Sequence, residues 1–400
     1  MIGFTWRTLV VGSLVLALCP HQLTIYGAGP MTQAVDADRR PRCRELGIVI
    51  GILPPGPLNA ITDVKGVQVG HTTLIADQDQ RTGVTAIVPH AESIFQHKVP
   101  AALAVGNGYG KFIGATQISE LGCIETPILL TNTLSTFAVA DALVSYVLEE
   151  PGNQEVRSVN PVVGECNDGY LNNIRARHVR AEHVAQALRT AGSGPVTEGS
   201  VGAGTGTRCF GWKGGIGTAS RQVMSSDTTY TVGLLTQTNF GGVLNIGGAP
   251  VGKLLKRHIL QKHPSSENKG SCIVVVATDA PLDSRQLQRL ARRALLGLAE
   301  VGSPMTHGSG DYAIAFSTHT GVRITHAAVD AVTAVPRMRD DALTPLFQAA
   351  KEATAEAVIN SLLQATTTKG YRGRVVEAIP VNDVMRICRD HKVIRETESP

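Results

Sequence analysis

The chain has 400 residues, 43% of them hydrophobic and 18% charged, with a formal net charge of +4. That length supports a large buried core, and the charge comes without the lysine/arginine cluster that a nucleic-acid surface carries. Glycine is frequent (42 residues) and aromatics are scarce (4%), which points to tight turns and backbone lying close to a ligand, not to an aromatic platform for bases.

In chain order, Arg7 comes first, followed by "TLVVGSLVLALC", an apolar run of about 12 residues. A membrane-spanning helix needs roughly 20. The positive start, the short apolar run and the small residues of "YGAGP" (26–30) predict a secretory signal over residues 1–29. The mature protein is then periplasmic or secreted, with no stable membrane association. Leu18, before Cys19, stands where a lipoprotein signal has a small residue. Without the leader, six cysteines remain with no CxxC pair, so neither a zinc site nor a dense disulfide frame is indicated, and the sequence does not pair them.

"GIVIGIL" (47–53) reads as a strand, and "ITDVKGVQVGHTTL" (61–74) alternates around a glycine as a hairpin does. "TAIVPH" (85–90) and "AALAVGNGYG" (101–110) add strand and turn, and "TPILLTNTL" (126–134) is a short apolar run. Residues 135–150 and 181–194 have helical spacing and end at Pro-Gly and Gly. The stretch 200–217 is glycine-dense, 229–241 reads as a strand, and 253–270 is polar and loop-like. "CIVVVATDA" (272–280) is a buried strand, 283–302 an amphipathic helix, "DYAIAFSTH" (311–319) a strand, and 341–365 a long helix with Pro345 in its first turns. Strands and helices intermix without a fixed repeat or a linker, so the predicted class is α/β or α+β in one large layered domain.

No Walker A run, HExxH or GxSxG is present. "GAGTGT" (202–207) lacks the full spacing of a dinucleotide fingerprint and reads as a turn. His319 and His326, seven apart, fall on opposite faces of a strand by their odd spacing and read as non-ligands. What remains is "KGSCIVVVATDAP" (269–281), where Gly270-Ser271 stands at the mouth of a core strand. A mid-chain serine needs a separate base. Cutting before Ser271 would give it an α-amine with a pKa near ~8, beside its own hydroxyl. Gly270, without a Cβ, lets the hydroxyl approach the preceding carbonyl. On these residues alone the simpler reading is a turn entering a strand.

The rest of the chain bears on that reading. From about residue 46 to 390 it resembles the DmpA/BapA family of L-aminopeptidase D-esterase/amidases and β-peptidyl aminopeptidases. The matching stretches include "GPLNAITDVKGVQVGHTTL" (56–74), "GNGYGKFIGATQISELGCIETPILLTNTLS" (106–135), "GECNDGYLN" (164–172), "GAGTGTRCFGWKGGIGTASR" (202–221), "TQTNFGG" (236–242), "GSCIVVVATDAPL" (270–282) and "HGSGDYAIAFST" (307–318). The resemblance implies a four-layer αββα sandwich of the kind shared with ornithine acetyltransferases. It implies a proenzyme that cuts itself between Gly270 and Ser271, giving chains 30–270 and 271–400, and a homo-oligomer of these heterodimers. It implies no metal or organic cofactor, and a small peptide or an aminoacyl amide or ester as substrate.

Residue by residue, the resemblance makes Ser271 the nucleophile with its freed amine as base. Ser309 and Asp311 match the serine and acidic partners that orient Ser271 and tune its amine; Asp311 stands where some members have glutamate. Asn239 matches the oxyanion-stabilising asparagine, Tyr170 a tyrosine that bonds near the reacting carbonyl, and Glu165 the glutamate facing the substrate's amine. The alternatives are an acyltransferase related to ornithine acetyltransferase, which uses threonine as nucleophile, and an uncut, non-catalytic exported binding protein.

Overall fold

The computed structural model describes residues 39–225, 227–259, 270–328 and 330–394. The leader over 1–29, Cys19 and the polar approach at 263–269 lie outside the described residues. The chain begins in irregular segments. Ile48 and Ile50 of "GIVIGIL" are buried among the helices of the second half, and Ile48 makes a single bridge to Ile394, so the expected strand is a coil pinned by its side chains. The expected hairpin is displaced. Ile61–Asp63 is a short 3-10 turn, and the hairpin pairs β1 (Gln68–Ala76) with β2 (Gln80–Val88) through Asp77, whose φ of 44° suits a tight turn.

There follow β3 (His97–Gly108), β4 (Phe112–Ile113), α1 (Ala115–Leu121), β5 (Cys123–Ile124), β6 (Ile128–Asn132), α2 (Thr136–Glu149), β7 (Val162–Cys166) and α3 (Ala181–Arg189). The short hairpin β8 (Arg208–Cys209) and β9 (Trp212–Lys213) leads into β10 (Ile216–Ser225) and β11 (Thr228–Asn239). The chain continues with α4 (Val251–Leu254), β12 (Ser271–Thr278), α5 (Ser284–Glu300), β13 (Gly310–Ser317), β14 (Ile324–Thr325), α6 (Thr344–Leu363) and α7 (Val381–Asp390). The short helix α1, strand β10 and helix α7 have no counterpart in the sequence reading.

Two sheets result. One runs β1-β2-β6-β7-β4; the other runs β10-β11-β12-β13-β3-β14, with β5 also on β3. Three apolar layers hold them. Val84, Ala86, Leu129 and Val163 of the first sheet pack with α2 and α3. Ile87, Ile128 and Leu130 meet Ile273, Val275, Ile314 and Phe316 between the sheets. Cys272, Val274, Val276, Ala313 and Ala315 pack under α5 and α6. The order helix, sheet, sheet, helix is the αββα sandwich. From Arg40 onward the described chain forms one compact unit.

The elements follow from local chemistry. Strand β12 is buried along its whole length because both of its faces are covered, which explains its unbroken apolar run. Helix α5 starts at Asp283, whose carboxylate accepts from the Gln286 amide at 2.7 Å while the Gln286 side chain accepts from the Asp283 amide at 3.3 Å. Helix α6 carries proline in its first turn and is buried on nearly all sides from Leu346 to Leu363. Gly217 of β10 lets it lie close, since a Cβ there would come within 1.9 Å of the Ala357 carbonyl oxygen.

The glycine-dense "GAGTGT" is a buried turn at Gly202–Gly204. His319 and His326 both lie beyond β13, so the face argument does not apply to them. His319 Nδ1 accepts from the Gly321 amide, and His326 packs on Phe95 with ring centroids 4.8 Å apart. The six described cysteines are buried, unpaired thiols. Among the described residues no helix is long and apolar enough to cross a membrane.

Candidate active site

Ser271 is the first residue of β12, at the edge of the layer between the two sheets. Its strand is paired on one side with the last residues of β11, Asn239 opposite Ser271, and on the other with β13, Gly310 beside Ser271. By the alternation of β12, Ser271 shares the inter-sheet face of Ile273 and Val275. There it borders a cavity of about 430 Å³ also lined by Gly270, Asn239, Glu165, Tyr170 and Thr133. The serine is 4% exposed.

Asn239 is oriented by the chain around it. Its Oδ1 accepts from the Arg208 amide at 3.0 Å, which turns Nδ2 toward Ser271 Oγ at 3.3 Å. The backbone donor fixes which end of the amide faces the serine. On β7, Glu165 is buried and lines the same cavity. Its Oε1 accepts from the Lys111 amide at 3.1 Å and lies 3.6 Å from Lys111 Nζ; its Oε2 accepts from the Thr133 hydroxyl. Tyr170 forms part of the wall. Its ring lies under two guanidiniums, with Arg208 Cζ 3.8 Å and Arg374 Cζ 4.8 Å from the ring centre.

Ser309 and Asp311 lie on the other face of the same sheet edge. Asp311 alternates with Tyr312, so it shares the helix-side face of Ala313 and Ala315. Ser309 Oγ donates to Asp311 Oδ1 at 2.9 Å. Asp311 is fully buried, and its Oδ2 has no hydrogen-bond partner among the described residues. Burial raises its pKa to about 6, partly offset by the Ser309 hydroxyl. Gly270 lies directly over this pair, for a Cβ at Gly270 would sit 3.0 Å from Ser309 Oγ and 3.2 Å from the Phe240 backbone. Its carbonyl accepts from the Gly310 amide at 3.2 Å. The Gly270-Ser271 peptide therefore stands in the sheet plane, with the Ser271 hydroxyl on the cavity side and Ser309 and Asp311 on the helix side.

All seven residues singled out from the sequence thus converge on one end of β12. The hydroxyl of Ser271 meets Asn239, whereas Ser309 and Asp311 flank the peptide from below. Sequence reasoning did not pick out Lys111, Thr133, Arg208 and Arg374. The first three sit inside the stretches "GNGYGK", "LLTNTLS" and "GTGTRCF", where their types gave no cue to their placement. Arg374 lies in no such stretch.

The family model for peptidase family S58 matches residues 59–376. The β-peptidyl aminopeptidase BapA of Sphingosinicella microcystinivorans is 39% identical over 389 residues, covering 91% of this chain and 96% of its own. Among solved structures, a β-aminopeptidase of Burkholderia sp. superposes with a TM-score of 0.80 at 42% identity, covering 87% of this chain and 98% of its own. The L-aminopeptidase D-Ala-esterase/amidase of Ochrobactrum anthropi, described as a prototype for the serine aminopeptidases with a variant Ntn hydrolase fold, does so at 0.82 and 35% identity, covering 89% of this chain and all of its own.

Proposed function

The chain belongs to peptidase family S58, and on that premise we propose that it is a self-processing serine aminopeptidase whose nucleophile is Ser271. Membership of a peptidase family decides for a hydrolase over the acyltransferase and non-catalytic readings. The observation that carries the assignment of the nucleophile is the arrangement around one peptide bond: Asn239 Nδ2 on Ser271 Oγ at 3.3 Å, and the Gly310 amide on the Gly270 carbonyl at 3.2 Å.

In processing, Ser271 Oγ attacks the Gly270 carbonyl carbon. As an ester to Oγ forms, the Gly270 C–N bond breaks and the hydroxyl proton passes to the leaving nitrogen, which becomes the free α-amine of Ser271; water then hydrolyses the ester, releasing the Gly270 carboxylate and restoring the hydroxyl. The Gly310 amide polarises the carbonyl as charge develops on its oxygen. The new amine emerges in the sheet plane beside Ser309 and the open oxygen of Asp311, which needs a donor and would find one in an ammonium. The products are chains 30–270 and 271–400.

In turnover, the substrate's N-terminal ammonium pairs with Glu165. The hydroxyl of Ser271 attacks the first carbonyl and passes its proton to its own amine. Asn239 stabilises the oxyanion, with Tyr170 along the same wall. The amine product leaves with the proton, and water releases the acyl group. The substrate is a small peptide, amide or ester with a free N-terminus. The leader directs the protein to the periplasm or outside the cell, and the heterodimers assemble into a homo-oligomer.

The test compares the p-nitroanilides of L-alanine, D-alanine and β-alanine with their N-acetyl forms. Release of nitroaniline from at least one free form, with more than about a hundredfold loss on acetylation, is expected, because acetylation removes the charge that Glu165 recognises. Equal hydrolysis of free and acetylated forms would contradict an aminopeptidase.

A further inference from the structure

The loop that carries Ser309, residues 306–309, leads into β13 and is held from two sides. On one side stands Gly270. Its amide donates to the Gly308 carbonyl at 3.4 Å, and its carbonyl accepts from the Gly310 amide at 3.2 Å. On the other side stands the end of β3. The Tyr109 amide donates to the Ser309 carbonyl at 3.1 Å. Asn107 does more: its Nδ2 donates to the Thr306 carbonyl at 3.1 Å, to the His307 carbonyl at 3.0 Å and to the Ser309 carbonyl. A primary amide has two N–H donors, so the carbonyls share them, and together they fix which end of the amide faces the loop. Asn107 reaches the loop through a slip in register between β3 and β13. Asp311 pairs with Asn107 and Tyr312 with Val105, which leaves Gly106 without a partner across the sheet. A bulge of this kind re-aims a side chain beside a site.

The two sides fare differently when the chain is cut. Breaking the Gly270-Ser271 bond turns Gly270 into a chain end. Asn107 then lies in chain 30–270 and Ser309 in chain 271–400, and the bonds between them do not pass through the broken peptide. We propose that Asn107 is a positioning residue for turnover: after the cut, its amide holds the 306–309 loop so that Ser309 stays against Asp311 and beside the new Ser271 amine. The inference rests on the self-processing aminopeptidase reading above. Ser309 reaches Asp311 from the loop through one hydroxyl bond of 2.9 Å, and a small displacement of its backbone breaks that bond.

The test uses the purified protein, three variants and the alanine nitroanilide that the wild type hydrolyses fastest. Asn107→Ala is expected to cut itself, read by N-terminal sequencing at Ser271, because Gly270 still holds the loop before the cut. The cut variant should lose roughly ten- to a hundredfold in kcat, the cost of a misplacement on the ångström scale, with KM within about twofold of the wild type. Asn107→Asp keeps the shape but turns an ionised oxygen toward the carbonyls, so its kcat should fall at least as far. Asn107→Gln restores the donors and should recover part of the loss. An unchanged kcat per folded molecule in Asn107→Ala, with only the unfolding temperature lowered, would overturn the inference, as would an Asn107→Ala chain that stays uncut. If the alanine variant does not fold, the comparison of Asp with Gln decides, and equal kcat in those two would overturn the inference. A wild type that stays uncut, or that hydrolyses none of the L-alanine, D-alanine and β-alanine nitroanilides, would instead overturn the reading beneath it.

Discussion

Beneath α6, Arg221 is fully buried and every nitrogen of its guanidinium is engaged: Nε with Glu352 at 3.1 Å, Nη1 with the Ser220 carbonyl at 2.8 Å, and Nη2 with Glu356 and the Ile50 carbonyl, both at 2.7 Å. The carboxylates are equally occupied. Glu352 also accepts from the Ile52 and Leu53 amides, and Glu356 from Arg44 and Asn59. At the head of β12 the pattern is the reverse. Asp311 is as deeply buried, yet keeps an oxygen without a partner, and Asn239 reaches Ser271 over a long 3.3 Å. A closed polar cluster anchors the coil at 48–53 to the helices. An open one holds unspent hydrogen-bonding capacity for a state that forms later. Between Arg221 and Asp311, both fully buried, the difference is that the guanidinium is satisfied at every nitrogen and the carboxylate is not.

The contrast breaks most sharply at Ser271. Ser271→Ala is expected to leave an uncut chain with no hydrolysis above background, read by denaturing electrophoresis and a nitroanilide assay, while its thermal unfolding stays close to that of the uncut wild type. The opposite outcome belongs to Arg221. Arg221→Met strands two buried carboxylates and is expected to cost about 3–5 kcal/mol of stability by denaturant unfolding. The cut and the turnover of the folded fraction should persist, because nothing in that cluster lines the cavity.

Asn239→Ala is expected to lower turnover by about two orders of magnitude with little change in unfolding temperature, measured by steady-state kinetics beside calorimetry. Asp311 gives a smaller effect with a sign that separates folding from function. Its pKa of about 6 in the folded chain lies above the unfolded value of 3.8, so folding favours its protonated form. Its contribution to the stability of the uncut chain is therefore full below pH 4 and lost as pH rises through 6. In the cut enzyme the carboxylate pairs with the freed Ser271 amine, so Asp311→Asn should lower turnover in steady-state kinetics yet leave the uncut chain at pH 7 as stable or more so, since no buried charge remains. A destabilised Asp311→Asn chain with normal turnover would place Asp311 among the closed, structural groups.

Much of this architecture is legible in the chain because burial writes itself into periodicity. The continuous apolar run of β12, the stripe of α5 and the length of α6 each have a single packing solution. "GIVIGIL" misleads because its isoleucines are buried by helices and not by strand pairing, and apolar character alone does not say what covers it. Strand β10 follows directly on a glycine-dense stretch whose composition resembles a loop, and its glycines are there for the approach of α6. In the site, Ser271, Asn239, Ser309 and Asp311 are readable through their motifs, since each sits at a strand end where local sequence fixes position. Arg374, on a segment more than a hundred residues beyond Ser271, enters the cavity only through tertiary packing, and no local pattern marks it.

The central claim is that the peptide before Ser271 is the reactive bond. Intact mass spectrometry of the purified wild-type protein, with N-terminal sequencing of every chain, tests it directly. Two chains, one beginning Ser271-Cys272-Ile273, are the expected result. A single full-length chain that still hydrolyses aminoacyl nitroanilides would contradict it, because the serine would then be working without the amine that the account makes its base.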